Sequence, residues 1–513
     1  VPEIVNGITV PVDGDPINLP GDLKTFAEDI GTAAQEAGAA AAVGYASSLD
    51  DAKVSALLDD QGTETASALS ASIGAVGGGL FMPQGYGARA LASKCAIGVN
   101  AAVGIAGDST ADKPYEYLQM GLAAFIKQFP RQSADRYEWD GTSAYGTPQP
   151  ILTGITARTV VMRDEFDRSA ADLVGSTPNV GVVWFAIGNG AGDWELNGSA
   201  CVATADATSG SVFTTVVAGD GELVANLTLA ANDAPRFVVK RVNDSNRIRI
   251  DVQRNSSGQY RLQLWKFIGG VQTAIATSEY FFHNTAVTTF DVTCRVVGTR
   301  VTGSVNGQYI GGTLSTDDVT ALSTGTGVGL EGANRGAAII NRMEWATVTA
   351  ATSSGAVAIY NGSKSGSILS YQEGVISTLF PSGTLLDVAI VNSGHNYGSG
   401  SASSYLVAID SFIETLRTVQ PDCGVVIASQ NPEVSPAPNV AAHAARNAAL
   451  PGYAAVRGYG YIPSCETFAT MLSIGPAYMQ SDGVHPTGGS EGGAGVQSAA
   501  VITYLNRLAG LAA

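Results

Sequence analysis

Histidine is scarce in this chain: four residues, His283, His395, His443 and His485, in a sequence of 513. Any chemistry that needs an imidazole base must draw on one of these. Cysteine is nearly as rare. Cys95, Cys201, Cys294, Cys423 and Cys465 form no C-x-x-C pair, which argues against a zinc site. Their odd number and wide spacing argue against a disulfide framework. Cys201 and Cys294 share one region and could pair, but buried free thiols fit better. Charge is thin too. Only 14% of residues are charged, against about a quarter in an ordinary domain, and the net charge is −17. That balance argues against binding a phosphate backbone, so no nucleic-acid partner is expected. No stretch approaches the length of a membrane span without polar interruption, so no membrane insertion is expected. The start, Val1-Pro2-Glu3-Ile4, has neither the basic residues nor the apolar core of a secretory signal, although a mature secreted chain would have lost one.

Glycine is abundant at 62, and hydrophobic residues make up 45%. Sizeable cores are therefore possible, and the length suits two or three domains. The apolar run Ile97–Ala106 ends in Gly107-Asp108-Ser109-Thr110. A buried strand followed by a glycine turn would deliver Ser109 to a loop. Next, Leu118, Leu122, Phe125 and Phe129 recur at helical spacing. Strand, turn, serine, helix is a fitting context for a nucleophile, though it is not the Gly-x-Ser-x-Gly elbow. A serine hydroxyl needs a general base and a group to orient that base. Asp482-Gly483-Val484-His485-Pro486 offers both within one loop, Asp482 standing three residues before His485. The same five residues are also turn formers, and a plain turn is the competing interpretation.

Taken together, these stretches resemble the SGNH, or GDSL, family of esterases and acylhydrolases. Gly107-Asp108-Ser109 stands where that family has its first motif and Asp482-Gly483-Val484-His485 where it has its last. After the strand-like Ala356–Tyr360, the stretch Asn361-Gly362-Ser363-Lys364-Ser365-Gly366 resembles the second motif. Spacing favours Gly366 as its oxyanion glycine over Gly362. Gly394-His395-Asn396, after the apolar Val388–Val391, resembles the third; Tyr397 stands where the family often has Asp. The resemblance implies that Ser109 is the nucleophile, His485 its base and Asp482 the orienting acid. It further implies an oxyanion hole from the Ser109 N–H, the Gly366 N–H and the Asn396 amide, with no metal or organic cofactor. His395 is the reserve candidate for the base, or else a loop residue lining the cleft or bonded to nearby backbone. His443 and His283 are expected to be structural.

The chain reads as multidomain: an α/β/α parallel-sheet SGNH hydrolase split by an antiparallel β-sandwich insert and preceded by an N-terminal helical arm. Residues 1–80 are expected to hold an extended arm and then thin helices with one apolar stripe each. Leu23, Phe26 and Ile30 mark one such stripe, and Leu49, Val54, Leu57 and Leu58 another. Helices of this kind need a partner, so self-association, preferably as a trimer, is expected. Gly77-Gly78-Gly79 reads as a hinge. The stretches Ile8–Pro16, Leu19–Leu23 and Val54–Asp60 resemble the N-terminal parts of tail proteins from phages of actinobacteria. A helical linker of a secreted enzyme is the alternative.

Residues 85–154 are expected to form the first part of the hydrolase, with the polar run Gly141–Pro150 leaving the domain. Residues 155–350 hold short strand-like runs, among them Val180–Ile187, Glu222–Leu229, Arg247–Arg254 and Tyr260–Phe267, with no clear helix. That pattern indicates a two-sheet sandwich. The stretch Asp164–Arg168, with Trp184 and Trp194, resembles concanavalin-like jelly-roll modules, which often bind glycans. The insert would then bind glycan or simply pack on its neighbour. Trp194, Tyr260 and Trp265 could be sugar platforms, but aromatics in a sandwich are more often core. Residues 351–513 return to α/β, with near-continuous apolar strands alternating with helices such as Tyr405–Val419 and Val440–Leu450.

The sequence thus predicts a serine esterase that removes acyl groups, plausibly O-acyl esters on a cell-envelope glycan or glycolipid. The chain would sit in a phage tail, and so in a virion, alongside other tail proteins; secretion is the alternative. The rival prediction is a receptor-binding or structural tail protein carrying an idle hydrolase fold.

Overall fold

A computed structural model describes residues 3–5, 8–10 and 86–511, apart from 188–193, 205–210, 282–287, 335–337, 352–354, 473–477 and 491. The expected helices and hinge of residues 22–79 lie outside the described residues, and so does His283. The chain divides into two compact units, Val1–Tyr86 and Gly87–Ala513. Of the first, the structure describes a small antiparallel hairpin. Strands Glu3–Val5 and Ile8–Val10 pair Glu3 with Val10 and Val5 with Ile8.

The second unit holds three large sheets. One is a seven-stranded sheet built from both ends of the unit. Its order is Gly460–Ile462, Gly424–Ala428, Val388–Asn392, Ala101–Gly107, Ala356–Asn361, Ser133–Glu138 and Gln149–Leu152. Neighbours run parallel until the last strand, which turns back antiparallel on Ser133–Glu138. The run Gly141–Pro150 therefore does not simply leave the domain. Its end, Gln149 and Pro150, pairs with Arg136 and Asp135 and closes the sheet edge.

The near-continuous apolar strands follow from burial on both faces. Side chains alternate across the sheet. Val103, Ile105, Val388, Ile390 and Val426 point to one layer, which contains Leu118, Leu122 and Phe125 of helix Tyr117–Lys127 and Val501 and Leu505 of helix Gly493–Ala509. Ala102, Ala106, Ala389, Val391, Val425 and Ile427 point to the other. That layer contains Ile409, Phe412 and Leu416 of helix Ala402–Val419 and Leu450 of helix Val440–Arg457. The spacing of apolar residues at three and four fixes which face each helix buries.

Between Leu152 and Ala356 the chain forms a nine-stranded and a seven-stranded sheet whose strand pairs are antiparallel. They enclose one core with Trp184, Trp194, Trp345, Phe237, Tyr260 and Phe290. Trp194 and Tyr260 are therefore core residues, while Trp265 is half-buried. Two expectations for this region need correction. Of Val180–Ile187 only Phe185–Ile187 is a strand, and Val180 makes an isolated bridge to Arg163. The region also contains a helix, Thr316–Leu322, started by a capping box in which Ser315 accepts from the Asp318 N–H and Asp318 accepts from the Ser315 N–H. The five cysteines are free, and all but Cys465 are buried.

The insert is bolted to the parallel sheet beside its own entry and exit. Arg300 donates to the Asp135 carboxylate (2.8 Å), the Leu152 carbonyl (2.9 Å) and the Ala134 carbonyl (3.3 Å). Arg295 donates to the Thr153 carbonyl, and Arg136 to the Tyr309 carbonyl at 3.2 Å. Among the described residues, no helix is long and apolar enough to cross a membrane.

Candidate active site

The central strand Ala101–Gly107 is buried along its whole length and ends under the loop Asp108-Ser109-Thr110. Asp108 fixes that loop. Its carboxylate is fully buried and accepts from the Thr110 N–H (3.1 Å), the Thr110 hydroxyl (3.0 Å), Gln430 Nε2 (2.8 Å) and the Gly394 N–H (3.3 Å). Four donors replace the water this carboxylate gives up. The Gly107 carbonyl is held by the Lys364 N–H (3.1 Å) and Gln372 Nε2 (2.7 Å), which ties the second loop to the first. Ser109 remains partly open to solvent.

The His485 loop is a tight turn. Met479 and Pro486 form a bridge, and the Gln480 N–H donates to the His485 carbonyl at 2.8 Å. One Asp482 oxygen accepts the N–H groups of Val484 (3.0 Å) and His485 (3.1 Å), an Asx-type turn. The other stands 2.6 Å from His485 Nδ1, and His485 Nε2 stands 2.9 Å from Ser109 Oγ. Nδ1–H therefore donates to Asp482, leaving Nε2 to accept the serine hydroxyl proton. Partial burial pushes the Asp482 carboxyl up. The hydrogen bond from His485 and the two backbone donors outweigh this and hold it below its usual range. The aspartate thus stays ionised beside the ring.

The remaining sequence candidates cluster around Ser367. Gly366 lies in the left-handed region at φ +74°, exposed, with open space where a side chain would stand. Among the described residues its N–H and that of Ser109 donate to no protein group. Gly362 differs: its N–H is used by the Ile105 carbonyl at 2.8 Å, and it is buried against Leu379. Geometry therefore distinguishes Gly366, which spacing favours, from Gly362. Asn396 is exposed, and its Nδ2 donates to the Ser367 carbonyl at 3.0 Å, so its loop is pinned to the residue after Gly366. Gly366, Asn396 and Ser109 follow three adjacent parallel strands at their carboxyl ends.

His395 is not a base for Ser109, and it does not line the cleft. It is buried, with Nδ1 at 3.2 Å from Glu433 and Nε2 at 3.3 Å from Asn431 Oδ1. Its ring stacks on that of His443, centroids 4.0 Å apart and planes 15° apart. His395, Glu433 and His443 bring three ligand-type atoms within 4.8 Å of one another. Metal–imidazole bonds lie in the ring plane, and two rings stacked face to face cannot both aim in-plane lone pairs at one ion. The trio therefore does not fit a shared metal.

Two groups went unnoticed in the sequence. Gln430, after strand Gly424–Ala428, donates to Asp108 (2.8 Å) and Thr110 (2.9 Å) and accepts the His395 N–H (2.8 Å). A polar loop residue acquires this role only through tertiary contacts, so no local signal marks it. The second group follows Ser109. Burial, together with Asp108 and Glu138, pushes Asp112 up to about 6 despite the neighbouring Lys113 and His485. Lys113 pairs with Glu279 of the insert (3.3 Å), and Tyr115 stacks on Phe281 with centroids 5.2 Å apart. On the other side, the Ser490 N–H donates to the Asn306 carbonyl at 3.0 Å. The insert thus braces both the segment after Ser109 and the segment after His485.

No family model and no curated protein matches the chain. Solved structures it resembles include a peptidoglycan O-acetylesterase, at 12% identity and a TM-score of 0.31, covering 82% of this chain and 96% of that one. Another is the CBM2 module of the Lactobacillus casei BL23 phage J-1 evolved Dit, at 10% identity and a TM-score of 0.28, covering 37% and 96%. A third is SCLam, a non-specific endo-β-1,3(4)-glucanase of family GH16, at 9% identity and a TM-score of 0.30, covering 40% and 98%. At these scores no family assignment follows; the chain itself is a parallel α/β sheet interrupted by an antiparallel two-sheet domain.

Proposed function

We propose that the protein is a serine ester hydrolase of the SGNH type. The observation that carries this is the unbroken chain from Asp482 through His485 to Ser109, at 2.6 and 2.9 Å, between segments 376 residues apart. Ser109 Oγ attacks the ester carbonyl carbon while His485 Nε2 takes its proton. Asp482 holds the ring and faces the imidazolium that forms. The N–H groups of Ser109 and Gly366 and the Asn396 amide receive the oxyanion. The intermediate collapses, and the leaving alcohol takes the proton from His485. Water then repeats the sequence on the acyl-enzyme and frees Ser109.

We assign the substrate to O-acyl esters on a cell-envelope glycan, with the sandwich as a glycan-facing wall of the cleft. We place the protein in a phage tail as a homo-oligomer, preferably a trimer, joined through residues 1–80. Hydrolysis of a short-chain chromogenic ester by the protein and by Ser109→Ala tests the chemistry. Turnover that the variant loses supports it, and turnover in neither overturns it. Acetate release from an O-acetylated glycan tests the substrate class, and light-scattering mass in solution tests the trimer.

A further inference from the structure

Asn431 stands between His395 and the catalytic loop. Its Nδ2 donates to the Val484 carbonyl at 2.6 Å and faces the Pro432 carbonyl at 3.3 Å. Two carbonyls on that side fix the amide orientation, so Asn431 Oδ1 is the atom that faces His395 Nε2. An acceptor requires a donor, and Nε2 must carry a proton. Glu433 Oε1 faces Nδ1, and Nδ1 must carry one too. Both nitrogens of His395 therefore donate, which is the imidazolium form.

The surroundings agree. Burial pushes the Glu433 carboxyl up, but the hydrogen bond from His395, the two imidazoles and the Asn439 N–H (3.2 Å) outweigh it and hold it down. Burial and then the His395 charge push His443 down to about 3. His443 is thus neutral: its Nε2 stands 2.9 Å from both the Asn431 carbonyl and Asn447 Nδ2, while its buried Nδ1, 3.9 Å from Glu433 Oε1, has no hydrogen-bond partner among the described residues. Arg446, the other charge nearby, is turned to the carbonyls of Gly398 (2.9 Å) and Gly400 (2.8 Å). The cluster therefore contains one buried ion pair, His395 with Glu433 at 3.2 Å.

We propose that His395, through the Nε2–H that this ion pair keeps in place, and Asn431 are positioning residues for His485. The Val484–His485 peptide is gripped on both sides. Asp482 holds its N–H, and Asn431 holds its carbonyl. The Nε2–H of His395 keeps Asn431 turned the right way. Asn396, adjacent in sequence, is carried by the same short helical turn His395–Tyr397, so His395 links the loop of the proposed base to that of the proposed oxyanion amide. The inference rests on the esterase reading for its kinetics but not for its spectroscopy.

The experiment uses the full chain labelled with ¹⁵N-histidine, since four histidines give few resonances. At neutral pH one buried ring should show both nitrogens protonated. His395→Gln should remove that signal, and a neutral ring in the wild type would overturn the proposal whether or not the protein is active. Against the chromogenic ester, His395→Asn and Asn431→Ala should lose about 10- to 100-fold in kcat with KM nearly unchanged. His395→Gln keeps a donor at the Nε2 position and should recover most of that loss. Glu433→Gln removes the counterion, yet its amide can donate to a neutral Nδ1. Activity should survive, while the doubly protonated signal vanishes. A loss confined to KM, or no rescue by Gln in a variant that melts like wild type, would overturn the positioning role. Inactive wild type with the imidazolium intact would instead count against the esterase.

Discussion

The Val434 carbonyl occupies the place where residue 483 would carry a side chain, and residue 483 is a glycine at φ +71°. In the same contact the Val434 N–H donates to the Gly483 carbonyl at 2.9 Å. The turn that presents His485 is thus pressed against the loop that follows strand Gly424–Ala428. Gly483→Ala should combine a strained φ with a backbone clash and cost about 1–3 kcal/mol. We expect a lower Tm and a kcat reduced at least tenfold, read by calorimetry and ester turnover.

Removing the nucleophile or the base should abolish turnover more completely than removing the acid. Ser109→Ala and His485→Ala are each expected to lose on the order of 10³-fold or more in kcat. Asp482→Ala should lose about 10²-fold or more, and the double variant His485→Ala with Asp482→Ala little beyond His485→Ala alone. Single-turnover kinetics of the set would show that non-additivity.

Asn396→Ala should leave substrate binding largely intact and lower kcat by about 10²- to 10³-fold, as expected of a donor used mainly when the oxyanion forms. An equal rise in KM with kcat preserved would reassign Asn396 to ground-state binding.

Asp112 gives a pH signature. Its folded-state pKa, raised to about 6, lies above the value of about 4 for a free aspartate. Below about pH 4 the group is protonated in both states and costs nothing. As pH rises from about 4 to 6 the unfolded state ionises first, so stability falls across that window and stays lowered above it. Asp112→Asn should therefore melt higher than wild type at pH 7–8, and the gap should close on acidification toward pH 4. Asp482 has the opposite sign, its folded pKa being lowered. Its stabilising effect is present at neutral pH and is lost only in strong acid, so the acid fall in activity should not follow its protonation.

Arg300 holds the insert to three acceptors on the parallel sheet. Arg300→Ala leaves two carbonyls and a carboxylate short of a donor and should cost about 1–3 kcal/mol. Faster proteolytic nicking between residues 152 and 156, with the sandwich fragment intact, would be the readout.

What was legible in the sequence follows from which signals are local. Strands Ala101–Gly107, Val388–Asn392 and Gly424–Ala428 are apolar without interruption because both faces are buried, and a continuous apolar run is visible in one dimension. His485 stands out through the scarcity of histidine and the Asp three residues ahead. Helix Thr316–Leu322 carried a local signal, the Ser315–Asp318 capping box, that the surrounding strand pattern masked. Strand Gln149–Leu152 looked like linker, since its pairing depends on Ser133–Glu138 rather than on its own composition. The burial of His395 and its partners were not legible: Glu433 and Asn431 lie on another loop and meet it only after folding. The same holds for Gln430 and for the brace between Lys113 and Glu279.

The 376 residues between Ser109 and His485 also set a schedule. At roughly 5–20 residues per second, a ribosome needs on the order of 20–75 s to make them. During that time Ser109 exists without His485 beside it. The central strand cannot be flanked by Val388–Asn392, nor the loop be clamped by Gln430, until the insert has been made. On the proposed reading, hydrolytic competence would therefore arrive late and all at once, and a half-made chain would not attack esters in the cell that makes it.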